Sequence, residues 1–299
     1  MKLNQLTREF YFHCEVERCL SAHTVDAYRH DLDQYLRFMK VDVSVEKALE
    51  PDSLKAFLTD MRVRRGLSAS TIRRRLACLK AMSRYAEEHH SMTNPFKDWR
   101  PKIKRPKRLP RALQQSDVIQ LLGSPSRMGD DDTAFATMVL GATGLRVSEL
   151  CAITAADVTE DGGSIRVTGK GTKDRIVYLT NPRLMARMSS RRLMRLTDGA
   201  SAPIFVNSRG GQMSPQTLRR RLHKYAEAVG LEKRVTPHIL RHTAATMLLE
   251  QGTDIRFVQR LLGHASIATT EIYTHVTDEA LRAAVRDADT MGLVLRSRS

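Results

Sequence analysis

At 299 residues, with 41% hydrophobic and 27% charged side chains, the chain is expected to form two globular domains, and no apolar run approaches the roughly 18 residues of a membrane span. The net charge of +16, shared between residues 1–110 and 111–299, gives a sequence pI near 10.1 and points to a polyanionic partner. Nucleic acid leads over a membrane surface because no lipid anchor or apolar segment is visible, and the opening MKLNQLTREF lacks the features of a secretory leader, so a cytoplasmic protein is expected.

Residues 1–100 read as almost entirely helical. In SAHTVDAYRHDLDQYLRFMK the apolar residues Val25, Tyr28, Leu32, Leu36 and Met39 recur at helical spacing behind Ser21 and Thr24 as possible caps. A second such helix, SASTIRRRLACLKAMSRYAEE, carries the stripe Ile72, Leu76, Leu79 and Ala86. Its three adjacent arginines, Arg73, Arg74 and Arg75, spread around the helix, so at least one should face a partner. Cys14, Cys19, Cys78 and Cys151 show no C-x-x-C spacing, which argues against a zinc site or a disulfide framework and leaves buried free thiols.

The composition then changes. PKIKRPKRLPR, residues 101–111, holds three prolines and no acid. Proline excludes a continuous helix, so this is expected to be an extended interdomain linker, with Lys102, Lys104, Arg105, Lys107 and Arg108 along a phosphate backbone. The domains are therefore 1–100, helical, and 112–299, mainly helical with a small antiparallel sheet. SDVIQLL predicts a helix start capped by Ser116, and DTAFATMVLGATG predicts a further helix. In GSIRVTGKGTKDRIVYLT the period becomes two, with Ile165 and Val167 on one strand and Ile176 and Tyr178 on the next, a hairpin whose tip carries Lys170 and Lys173. Helices resume from about Ser214, and no internal repeat is apparent.

Three stretches carry chemistry. Gripping a phosphodiester takes two guanidinium groups, neighbouring donors, a nucleophile and an acid for the leaving oxygen. Arg146 and Arg241, His238 and His264, Tyr273, and Lys170 make up that set. Thr236-Pro237 opens a helix that puts His238 and Arg241 on one face. His238 and His242 are also four apart, but Ile239 follows the first histidine where a zinc hydrolase would carry glutamate, and no acidic third ligand is obvious, so no metal site is assigned.

Gly144-Leu145-Arg146-Val147-Ser148-Glu149-Leu150, Lys170, His238-Ile239-Leu240-Arg241-His242, Leu262-Gly263-His264 and Tyr273, nine residues after His264, resemble the motifs of the tyrosine recombinase, or lambda-integrase, family and its Xer-like bacterial members. LSAHTVDAYRHDL, RGLSASTIRRRLACLKAM and NPFKDW resemble its helical core-binding domain, so the likeness covers nearly the whole chain.

The resemblance implies a SAM-like helical domain and a mixed α/β catalytic domain closing as a clamp around double-stranded DNA with paired recombination sites. Tyr273 would attack phosphorus to give a 3′-phosphotyrosyl link, with strand exchange through a Holliday junction. Arg146 and Arg241 would hold the phosphate, and Lys170 would protonate the leaving oxygen, with Lys173 its nearest competitor. His238 and His264 would donate hydrogen bonds or move protons, and Glu149 would orient the site. No cofactor is implied, since the phosphotyrosyl bond conserves each phosphodiester. The tail TDEALRAAVRDADTMGLV, with its stripe Leu281, Ala284, Val285, Ala288 and Met291, would dock on a neighbouring protomer of a homo- or hetero-tetramer, or else fold onto its own domain. A nucleoid-associated location follows. A DNA-binding protein that no longer cuts, and a topoisomerase-like nicking-closing enzyme, stand as alternatives.

Overall fold

The computed structural model describes residues 1–40, 42–104, 112–123, 131–169, 174–263, 278–288 and 292. It divides into two compact units, Met1–Arg108 and Leu109–Ser299. No helix among the described residues is long and apolar enough to cross a membrane.

The N-terminal unit contains α1 (Leu3–Phe12), α2 (Ala22–Met39), α3 (Val45–Leu49), α4 (Pro51–Thr59) and α5 (Ala69–His90). Leu6, Phe10, Leu32, Tyr35, Phe57, Leu79 and Met82 meet in its core, each at most 3% exposed. Two wide helical turns, His13–Glu17 after α1 and Asp60–Arg64 after α4, take the same path. In the first, Arg18 N–H donates to His13 O and Leu20 N–H to Cys14 O; in the second, Arg65 donates to Asp60 O and Leu67 to Met61 O. Each passes through a positive φ, Cys19 at 46° and Gly66 at 57°, before a serine that begins the next helix. VERCLSAHTV and VRRGLSASTI carry the two copies, so the unit has a short internal repeat that the sequence does not advertise at the length of a usual repeat. Ser68 accepts from Thr71 N–H at 3.3 Å, whereas Ser21 caps no backbone donor and instead meets the Thr24 hydroxyl at 2.9 Å.

Arg75 corrects an expectation. It is only 5% exposed, with its Nε 3.4 Å from the buried Asp31 carboxylate, and Arg74 reaches the same carboxylate at 2.7 Å. A charge this deep is held by its partner rather than offered to a ligand. Cys14, Cys78 and Cys151 are buried free thiols, but Cys19 is exposed, because its left-handed turn position projects it outward.

The C-terminal unit is mainly helical with one two-stranded antiparallel sheet. Its elements are α6 (Gln115–Gly123), α7 (Asp131–Thr143), α8 (Val147–Ala152), β1 (Ser164–Thr168), β2 (Asp174–Tyr178), α9 (Pro182–Leu196), α10 (Pro215–Ala228), α11 (Pro237–Glu250), α12 (Ile255–Leu262) and α13 (Asp278–Ala288). α7 packs against α10 and α11 and is buried on most sides, which its small Ala and Thr residues permit. Its threonines satisfy themselves within the helix: Thr137 donates to Thr133 O at 2.7 Å and Thr143 to Val139 O at 2.6 Å.

Three further expectations change. Ser116 lies inside α6, because Asp117 accepts the Gln114 N–H at 3.0 Å and starts the helix earlier. On β2 the register pairs Ile165 with Val177 and Val167 with Arg175, so Val177 and Arg175 share the inward face while Ile176 is 41% exposed. α9, not anticipated, starts at Pro182 under an Asn181 cap that accepts from Arg183 and Leu184 N–H. Arg187 and Arg191 on α9 stack over Phe135 at 4.5 and 4.9 Å and pair with Asp131 and Asp132. The stripe of α13 is buried within its own unit through Leu281, Val285 and Ala288; Met291 lies outside the described residues.

Candidate active site

The C-terminal carbonyls of α12 organise the site. A helix end leaves its last carbonyls without intrahelical donors and carries partial negative charge. Here three successive ones are taken by three arginines from different elements. Arg175 Nε donates to Leu261 O at 3.1 Å, Arg241 Nη2 to Leu262 O at 2.5 Å, and Arg146 Nη2 to Gly263 O at 3.1 Å. Gly263 ends the helix at φ 62°, a left-handed position that favours glycine, and a Cβ there would stand 3.2 Å from the Arg175 guanidinium and press on it.

Glu149 joins two of these arginines. It is the third residue of α8, and its carboxylate accepts the Arg146 N–H at 2.7 Å, closing the start of that helix. The same carboxylate takes Arg146 Nη1 at 2.7 Å and a fork from Arg175 at 3.0 and 2.9 Å. Burial pushes the Glu149 carboxyl up, but the hydrogen bonds from Arg175 and from the Arg146 backbone and side chain outweigh it and pull the pKa from 4.5 to about 2. A depressed carboxyl stabilises the fold above its ordinary pKa, and that stabilisation is lost as pH falls from about 5 towards 2. The shift corresponds to about 3 kcal/mol. Glu149→Gln is therefore expected to lower the unfolding temperature at pH 7 and to flatten its decline in acid, which thermal melts across that range would measure.

Arg241 sits on α11, where Thr236 accepts the Ile239 N–H at 3.2 Å and Pro237 occupies the first turn, as the sequence predicts. It is 7% exposed, and its Nη1 donates to Gly144 O at 2.8 Å. Gly144 has φ 62°, and a Cβ on it would stand 2.6 Å from Leu262, so this close approach of the α7–α8 turn to α12 requires glycine. Burial first, then the Arg146 charge, lowers the Arg241 pKa to about 10, which leaves it protonated at neutral pH.

Arg146, Arg241 and the exposed His238 line one cleft. Arg219 and Arg220 from α10 and Arg234 before α11 complete its wall, and among the described residues no acidic side chain lines it. Five guanidinium groups around one opening favour a multiply charged anion. The three additional arginines belong to no motif; the basic run RRRLHK on α10 signals Arg219 and Arg220, and nothing in the sequence marks Arg234. Lys170, Lys173, His264 and Tyr273 lie outside the described residues, although Lys170 and Lys173 fall between β1 and β2 and His264 follows Gly263 directly.

On the N-terminal unit, Arg73 and Lys102 line a shallow groove with Lys80. Lys104 is exposed nearby in sequence, whereas Arg105, Lys107 and Arg108 lie outside the described residues.

The model of the Phage integrase family matches residues 111–280, and that of the phage integrase N-terminal SAM-like domain matches residues 8–90. The chain is 35% identical over 278 residues to tyrosine recombinase XerC of Thermodesulfovibrio yellowstonii, covering 89% of this chain and 90% of that protein. It is 38% identical over 286 residues to tyrosine recombinase XerC of Herpetosiphon aurantiacus, covering 93% and 92%. Among solved structures, a lambda integrase tetramer bound to a Holliday junction shares the fold with a TM-score of 0.71 at 20% identity, over 89% of this chain and 78% of that one.

Proposed function

The chain belongs to the phage integrase family of tyrosine recombinases, enzymes that break and rejoin DNA in site-specific recombination, and from that premise we propose how its own residues do so. The observation that carries the reading is the cleft lined together by Arg146, Arg241 and His238, with Glu149 behind Arg146 rather than in the lining. Arg146 and Arg241 hold the scissile phosphate and stabilise the charge that builds on its non-bridging oxygens. The Tyr273 oxygen bonds to phosphorus as the bond to the 5′-oxygen breaks, and Lys170 supplies the proton that makes the departing group a hydroxyl. His238 and His264 donate to the phosphate or accept the phenol proton, and Glu149 orients Arg146. A second 5′-hydroxyl reverses the step on the partner strand, and two such rounds pass through a Holliday junction. The phosphodiester energy is held in the phosphotyrosyl bond, so no ATP or metal is needed for rejoining.

Residues 1–100 serve as a core-binding domain, 101–111 as a basic linker along the backbone and 112–299 as the catalytic domain, on double-stranded DNA in the bacterial cytoplasm and nucleoid. Arg73, Lys102, Lys104, Arg105, Lys107, Arg108 and Lys173 supply phosphate contacts, and the shared groove adds Lys80. Arg74 and Arg75 support that surface through Asp31. The test is covalent capture: the purified protein is mixed with fragmented DNA in EDTA, quenched with SDS, and the attached DNA sequenced. Adducts at discrete sites support recombinase chemistry. Binding without adducts on any fragment, or relaxation of plasmids that lack paired sites, contradicts it.

Two further outcomes are expected. A substrate with sulfur in place of the bridging 5′-oxygen needs little protonation of its leaving group, so it should restore cleavage to Lys170→Ala, whereas an all-oxygen substrate should not. If the sulfur substrate rescues Lys173→Ala instead, the acid is reassigned. The tail helix, packed on its own unit through Leu281 and Val285, exchanges onto a neighbouring protomer in the tetramer. Truncation after residue 278 is then expected to reduce recombination at least about tenfold more than single-site binding, by gel-shift and product assays. Equal losses would mean the tail acts only within its own chain.

A further inference from the structure

We propose that His13, Glu17 and His89 form a binding site for a zinc-class divalent cation on the N-terminal unit, apart from the recombination chemistry. Among the described residues this is the one group of three His, Cys or acidic side chains whose donor atoms gather, all within 4.8 Å of one another.

The wide turn at the end of α1 builds half of the site. His13 opens it and Glu17 closes it, and the His13 Nδ1 lies 2.5 Å from Glu17 Oε2. His13 is the better fixed, with 16% of its side chain exposed against 49% for Glu17. The last turn of α5 brings the other half: the His89 ring is 5.2 Å from that of His13, and Tyr85 packs against both at 4.8 and 4.4 Å. One helical turn away, His90 Nε2 and Glu9 Oε2 are 2.9 Å apart, so the same seam between α1 and α5 brings a second imidazole and carboxylate together. The internal repeat provides a comparison: in the second copy of the turn, Asp60 and Arg64 stand where the first has His13 and Glu17, and a cation in place of the carboxylate cannot ligate.

Two imidazoles and a carboxylate with an open fourth position suit zinc, cobalt or nickel, whereas magnesium and calcium favour oxygen donors alone. Bonds of about 2.1 Å in a tetrahedral site put ligand atoms roughly 3.4 Å apart. The His13–Glu17 contact, now 2.5 Å, has to open by about 1 Å, and the His89 donor, within 4.8 Å of both, closes onto the same point. Glu17 and His89 are exposed and can turn about their side-chain bonds, while His13 stays as the anchored ligand. The bound ion would join the start of the repeat to the end of α5 and stabilise the folded unit by mass action.

Titration of Zn2+ or Co2+ into the EDTA-treated full-length protein should show one ion per chain by calorimetry, with visible Co2+ absorption of a four-coordinate site and a higher unfolding temperature. His89→Ala and Glu17→Gln should each weaken that binding by more than about tenfold, with the helical content of the metal-free protein retained by circular dichroism, and His23→Ala should bind as wild type. Failure to bind a stoichiometric ion overturns the proposal. So does an ion retained equally by His89→Ala, which would place it elsewhere, including at His238 and His242.

Discussion

Tyr273→Phe is expected to leave DNA binding within about twofold of wild type and to abolish both the SDS-stable adduct and recombination. The change removes one oxygen, so neither charge nor packing volume shifts enough to alter the fold. Loss of the proposed nucleophile leaves no covalent route, and the rate should fall by more than about 10^4-fold. A phenol with an ordinary pKa of about 10 is a weak nucleophile at neutral pH, so it needs a cationic surrounding and a proton acceptor. Among the described residues, the cleft lined by Arg146, Arg219, Arg220, Arg234 and Arg241 is cationic, and His238 beside them is a proton acceptor when neutral. The other tyrosines of the C-terminal unit are poor substitutes: Tyr178 and Tyr225 are 6% and 3% exposed, and the Tyr225 hydroxyl donates to Leu121 O at 3.1 Å. A labelled DNA carrying a nick near the cleavage point traps the adduct by loss of the small leaving strand. An adduct formed by the Phe variant would reassign the nucleophile, and peptide mapping of the wild-type adduct would name the replacement.

What could be read from the sequence divides along a physical line. Arg146, His238 and Arg241 could be singled out because gripping a phosphodiester demands particular groups and because Thr236-Pro237 starts the helix that carries the last two, whereas Glu149 came only from the family resemblance. Arg175 was hidden by a one-residue slip. Ile176 and Tyr178 look like the buried alternation of β2, but pairing with Ile165 and Val167 turns Val177 and Arg175 inward and leaves Ile176 exposed, while Tyr178 is buried at the strand end. Period two cannot tell one face from the other when hydrophobic residues occupy both, as in DRIVY. α9 was hidden by its arginines: it buries only Leu184 and Met188 fully, and its charged residues find Asp131, Asp132 and Phe135 across the tertiary structure. Arg75 shows the converse, since a basic run on a helix gives no sign of which member has a buried carboxylate waiting. The carbonyl cluster at the end of α12 lay beyond any side-chain pattern, because backbone acceptors from Leu261, Leu262 and Gly263 leave no mark in residue identity.

Arg241→Lys should cost at least about 10^2–10^3-fold in cleavage rate, the scale of losing a transition-state donor, while DNA affinity at fixed salt changes only a few-fold. Arg241 meets two demands with one planar group. Two of its nitrogens are bound to Gly144 O and Leu262 O, at 2.8 and 2.5 Å, which leaves the remaining guanidinium donors for a phosphate in the cleft with Arg146. Lysine has a single nitrogen whose three donors cannot span both carbonyls and a phosphate oxygen. The substitution should also lower stability by about 1–3 kcal/mol, because two buried carbonyls lose their donor. Arg146→Lys separates the two effects. Arg146 is 41% exposed on its side chain and holds Gly263 O at the cleft edge, so this change should reduce cleavage with a smaller loss of unfolding temperature. Single-turnover cleavage and thermal melts on both variants decide the matter. If Arg241→Lys melts early yet cleaves at the wild-type rate below its melting point, the residue only braces the α7–α8 turn against α12, and the phosphate is gripped from elsewhere in the cleft.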